Sequence, residues 1–126
     1  MSAKYFTVEE ANAALEKIKP LMAQLVEKQA QISTTAQAIQ PLLSNIQDGI
    51  ASQETSGLLL TFNEIESLLS TIQSHGCVVK NANVGLLDFL ADFNGRDVYL
   101  CWKHGEDKIR FYHDIHDGFN GRKPIP

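Results

Sequence analysis

From Val8 to Ile50 the apolar side chains fall at alternating steps of three and four. The positions are Val8, Ala11, Leu15, Ile18, Met22 and Leu25, then Gln29, and on through Ile32, Ala36, Ile39, Leu43, Ile46 and Ile50. Only Gln29 is polar. Such a 3.5-residue period is a heptad seam, and it predicts a long helix with one face built to meet another helix. "FTVEEA" supplies its start, with Thr7 as N-cap and Glu10 three residues on, the spacing of a capping box. A helix from residue 8 to about 48 would be roughly 60 Å long at 1.5 Å per residue. A small domain cannot cover such a rod alone, so the seam predicts a partner helix and a homo-oligomer joined through the long helix.

Pro20 and Pro41 each remove an amide donor and predict a kink or break. Residues 29–47 carry no charge, which suits either a Gln/Ser/Thr-rich solvent face or several faces buried in an assembly. "DGIASQETSG" reads as a connection punctuated by Gly49 and Gly57. A second helix follows, with Thr61 and Glu64 repeating the capping spacing and Leu58, Phe62, Ile65, Leu69 and Ile72 as its apolar stripe. Gly76 is placed to end it as a left-handed cap.

Beyond Gly76 the pattern changes. Seven of the ten aromatic residues lie in residues 76–126. "CVVK" is a short strand, and "VGLLDF" is a second strand or an irregular segment. "DVYLCWK" alternates, with Val98, Leu100 and Trp102 on one face and Tyr99, Cys101 and Lys103 on the other. "KIRFYH" sets Ile109, Phe111 and His113 against Lys108, Arg110 and Tyr112, and "HGED" between the two runs is a hairpin turn. The expected fold class is therefore α+β: a long N-terminal antiparallel helical hairpin, coiled-coil-like, followed by a small antiparallel β-sheet. Residues 1–126 form a single domain, with the hairpin in 1–76 and the sheet and C-terminal loop in 77–126.

A net charge of −4 argues against nucleic acid as a partner. No run of about 18 apolar residues predicts a membrane span, and "MSAKYFTVEE" lacks the apolar core of a signal peptide. Cys77 and Cys101 lie in apolar runs and read as buried free thiols in a reducing cytoplasm.

"YFTVEEANAAL", "GCVVKNANVGLLDF" and "VYLCWKHGEDKIRFYHDIHDGFNGRKPI" together resemble the small bacterial family catalogued as "domain of unknown function 2203". The resemblance spans nearly the whole chain and is carried by Lys80, Gly85, Asp88, Phe89, Cys101, Trp102, Gly105, Glu106, His113, Gly118 and Arg122. It implies the fold just described and no particular activity. By that resemblance an acidic residue is usual where this chain has Asn81, Trp where it has Tyr112, and Glu where it has Asp114.

Two constellations carry chemistry. His113 and His116, with Asp114 or with Asp88 and Asp117 nearby, have the donor types of a divalent transition-metal site. Glu106 belongs at the turn, about six residues of strand from His113 and hence roughly 20 Å away, so the two cannot share an ion. The second constellation is "DGFNGRKP", where glycine turns and Arg122 suit an anion, or where Arg122 pairs with Asp114, Asp117 or Asp88. Lys80 and Asp88 form a candidate ion pair. Arg122, Lys80, Asp88 and Trp102 are the expected ligand-binding residues, and His113, His116 and Asp114 the expected metal ligands. No catalytic residue stands out. The preferred class is an oligomeric binding module, and the alternative is a small metal-dependent enzyme using His113 and His116.

Overall fold

The computed structural model describes residues 4–43 and 53–126, with side chains placed for 4–35 and 57–126. Helix α1 runs Val8–Leu43 and α2 runs Gln53–Gln73. Five strands follow: β1 Val78–Asn81, β2 Leu86–Phe93, β3 Arg96–Lys103, β4 Phe111–Asp114 and the short β5 Lys123–Pro124. They form one antiparallel sheet in sequence order. The α+β class expected from the sequence holds. Among the described residues no helix is long and apolar enough to cross a membrane.

The capping box closes as its spacing requires. Thr7 N–H donates to Glu10 Oε1 at 2.9 Å, and Glu10 N–H donates to Thr7 Oγ1 at 3.0 Å. Pro20 does not end α1. It sits on the exposed face, and Glu16, whose carbonyl loses its intrahelical donor there, is an exposed residue too. Ile18 and Met22, fully buried on either side of it, hold that turn in place. Pro41 also lies within α1. The connection placed at Gly49, and the seam from Ala36 to Ile50, fall outside the residues whose side chains are described.

Two expectations about α2 need correction. The helix begins at Gln53, so the segment read as linker is partly helical, and Thr61 is no cap. Thr61 lies inside the helix and its hydroxyl donates to the Gly57 carbonyl at 3.0 Å. That backbone-directed bond satisfies the hydroxyl without a helix end. Gly76 does close α2, with φ +103°, and its missing side chain matters twice. A Cβ there would lie 2.4 Å from the Phe6 ring that packs on it.

The first half of the seam is used within the chain. Ala11, Leu15, Ile18, Met22 and Leu25 are fully buried in one core with Ile65 and Ile72 of α2 and with Leu87, Phe89, Ala91, Val98, Leu100 and Trp102 of the sheet. Burying each large aliphatic side chain there contributes about 1.5–3 kcal/mol. For that half of the seam, α2 and the sheet supply the covering surface. Lys28 pairs with Glu64 across the two helices, and Gln31, Ile32 and Thr35 border a groove with Gly57, Leu58 and Thr61.

In the sheet, Asn94 and Gly95 take φ +57° and +84° and close β2 onto β3, with Phe93 opposite Arg96. The β3–β4 connection is longer than the tetrapeptide expected. Pairing resumes only at Cys101 opposite Phe111, so β4 begins two residues after Ile109. Ile109 instead turns to the helix-side core, its N–H donating to Asn12 Oδ1 at 2.8 Å.

Candidate functional site on the outer face of the sheet

Register assigns each strand residue to a face, because directly opposed residues share a face and neighbours along a strand alternate. Leu87, Phe89 and Ala91 oppose Trp102, Leu100 and Val98 on the face covered by the helices. Asp88 opposes Cys101 on the other face, and His113 opposes Tyr99 two residues along β3. The outer face therefore brings Asp88, Tyr99, Cys101, Phe111 and His113 together across three strands.

At its centre, His113 Nε2 lies 3.1 Å from both Oδ1 and Oδ2 of Asp88. The side chains of His113 and Asp88 are 5% and 2% exposed. The other ring nitrogen, Nδ1, is 2.8 Å from the Asp114 carbonyl. A carbonyl only accepts, so Nδ1 carries a proton. Nε2 faces the Asp88 carboxylate. Cys101 completes the group: one donor atom from each of Asp88, Cys101 and His113 lies within 4.8 Å of the others.

Burial, with the Asp88 carboxylate beside it, pushes the Cys101 thiol up to about 12. A thiol held protonated and fully buried is not a nucleophile, so the Cys–His–Asp grouping is no catalytic triad as it stands. Cys77 is likewise pushed up to about 12 by burial, with its thiol 3.4 Å from the Ile72 carbonyl. Both cysteines are free.

The rest of the face is polar and aromatic. The Tyr99 ring lies 5.6 Å from the His113 ring, and Lys80 Nζ stands 4.7 Å over Tyr99. Lys80 is exposed and does not make the pair with Asp88 that its position suggested, because His113 occupies that carboxylate. At the other end, Arg122 lies between the rings of Phe111 and Phe119, at 4.2 and 4.6 Å. Its Nη2 donates to both oxygens of Glu106, at 2.8 and 2.7 Å, and its Nε has no partner among the described residues. Arg122 thus pairs with none of the three aspartates considered from the sequence. Glu106 is the hub instead. It also accepts from the Lys103 amide through Oε1 at 2.8 Å, and its carbonyl accepts the Trp102 indole N–H at 2.9 Å.

The profile of the family described as "Uncharacterized conserved protein (DUF2203)" matches residues 4–125. The chain belongs to that family. No curated protein and no solved structure matches it.

For this DUF2203 chain, the structure regroups the residues singled out from the sequence. His113 and Asp88 meet. His116 does not join them: it is exposed and borders a separate hollow with Gly95, Arg96, Asp97, Asp114 and Ile115. The Asp114 carboxylate lies 3.5 Å from Arg96 and 3.7 Å from Lys123, and only its backbone carbonyl touches His113. Trp102 is buried on the helix side, away from Lys80, Asp88 and Arg122. Cys101 is the member that sequence reasoning missed. The alternation of "DVYLCWK" does place it on the outer face, but only the register brings it opposite Asp88. A broader hollow lined by Val8, Asp92, Phe93, Arg96, Tyr112 and Ile125 lies elsewhere and gathers no such cluster.

Proposed function

We propose that this protein is a binding module whose ligand site is the outer face of the sheet, built around Asp88, Cys101 and His113 and bordered by the Arg122–Glu106 clasp. The observation that carries this reading is the burial of Asp88 and His113, at 3% and 4% exposure, on the face the helices do not cover. A buried ionic pair is generally no more stabilising than apolar side chains of the same size. Its presence on that face calls for a role other than holding the fold.

Self-association is the second part of the proposal. The Lys28–Glu64 pair, and the groove that Gln31, Ile32 and Thr35 share with Gly57, Leu58 and Thr61, fall in opposite order along α1 and α2. They support an antiparallel hairpin. On α2, Leu59, Leu60 and Phe62 remain 61%, 63% and 47% exposed, an apolar surface suited to a second copy. Two free buried thiols support a reducing compartment such as the cytoplasm.

The binding reading is tested by native mass spectrometry of untagged protein purified without chelator. A noncovalent adduct in the wild type that is absent from Asp88→Asn and His113→Gln supports the proposal. A wild type that carries none, or an adduct that both variants retain, contradicts it.

A further inference from the structure

We infer that the outer-face site takes one divalent transition metal ion of the zinc class, held by Asp88, Cys101 and His113. The inference rests on reading that face as a binding site, and it does not depend on self-association. Three observations carry it.

The first is the donor set. One carboxylate oxygen, one imidazole nitrogen and one sulfur lie within 4.8 Å of one another, all on buried residues. In a tetrahedral zinc site, metal–ligand lengths of about 2.0–2.3 Å put neighbouring donors roughly 3.3–3.6 Å apart. Small side-chain shifts convert the present cluster into that arrangement. A thiolate with an imidazole selects zinc, iron or cobalt over the hard cations magnesium and calcium.

The second is the way the histidine is held. A metal-bound imidazole commonly donates its other N–H to a carbonyl or carboxylate, which fixes the tautomer and the ring plane. His113 already does this through Nδ1 and the Asp114 carbonyl, leaving Nε2 pointed at the cluster.

The third is the formal charge of the ligand set. A carboxylate, a thiolate and a neutral imidazole together bring two negative charges, which a dication balances. A monovalent cation or an anion would leave buried charge uncompensated, which is costly. Three protein ligands leave a fourth coordination position open, the stoichiometry of sites that bind a further molecule. His116, one turn beyond, is outside the site.

The test is a titration of chelator-treated full chain with cobalt(II), then zinc(II), followed by absorbance and calorimetry. The inference expects one ion per chain and a thiolate-to-cobalt charge-transfer band that zinc abolishes. Cys101→Ser should lose the band and weaken zinc binding by at least about a hundredfold, the upper range for loss of a single supporting hydrogen bond. His113→Gln should weaken binding similarly, and His116→Gln should leave it unchanged. Should Asp88→Asn or His113→Gln fail to fold, the band in the wild type and its loss in Cys101→Ser still decide. Absence of the band in folded wild type overturns the inference, as does binding that depends on His116 and not on Cys101. A native-mass adduct that proves to be metal-free would overturn it while leaving the binding-module reading intact.

Discussion

The imidazole of His113 reaches across β3 to place Nε2 at the same distance, 3.1 Å, from both carboxylate oxygens of Asp88. Neither residue is adjacent to the other in the sheet. The diagonal works because both side chains stand on the outer face, separated only by Cys101 and Tyr99 of the strand between. Removing one partner strands the other. Asp88→Ala should therefore lower stability by about 3–5 kcal/mol, as for other buried pairs broken from one side. Urea unfolding of the metal-free protein measures this, and a loss below about 1 kcal/mol would mean that the two groups are not paired in solution.

Glu106 joins Arg122 to the end of β3 through its side chain, while its carbonyl holds the Trp102 indole. A double-mutant cycle between Arg122→Met and Glu106→Gln should give a coupling of about 1–2 kcal/mol. Gln at 106 can still accept from the Lys103 amide, so the cycle isolates the guanidinium contact. Limited proteolysis should cut Arg122→Met earlier than wild type within residues 117–126. Equal cleavage of the two would show that the clasp does not hold that segment.

Both thiols should resist a thiol-reactive dye at pH 8 in the folded protein and react when it is unfolded, since burial pushes each up to about 12. Cys77 carries a further consequence for pH. Its ordinary value is 9.0 and its folded value about 12. Between those values the unfolded chain has lost the proton that the folded chain keeps. Stability contributed by the neutral thiol is present below about pH 9 and is lost as pH rises toward 12. The urea midpoint should fall over that window, and it should fall less in Cys77→Ala. Identical slopes would remove Cys77 from the account.

Leu59 and Phe62 lie one turn apart on the exposed side of α2. The double change Leu59→Lys and Phe62→Lys should bring the particle to the size of a single chain by light scattering, with little change in melting temperature. Leu25 would be the wrong position for such a test. It is fully buried within its own chain, so a charge there would unfold the monomer whether or not copies associate. A wild type already the size of one chain at tens of micromolar would end the self-association reading.

Local signals in this sequence proved the most readable. The Thr7–Glu10 box and the Gly76 cap each depend on residues within one turn, and both formed as their spacing implied. Thr61–Glu64 has the same spacing but lies within a helix already begun at Gln53, because a hydroxyl can be satisfied by the preceding turn as easily as by a helix end. Asn94–Gly95 carries the strongest short signal for a two-residue turn, and that turn sets β2 as a strand and its register with β3. That register is what brings Asp88 opposite Cys101. Alternation gives the face of a residue but not its neighbour on the next strand, so the Asp88–Cys101–His113 group could not be assembled from periodicity alone. The first half of the seam shows the same limit: periodicity marks a surface to be buried, and here α2 and the sheet of the same chain bury it.

The central claim is that Asp88 and His113 are on the outer face for binding and not for stability. Replacing them together by Asp88→Leu and His113→Leu tests it most directly, because the pair is removed without stranding either member. The account predicts a folded protein melting at or above the wild-type temperature in metal-free buffer, in contrast to the loss expected from Asp88→Ala. A double variant that fails to fold, or that melts several degrees below wild type, would contradict the claim and make the pair a structural clasp.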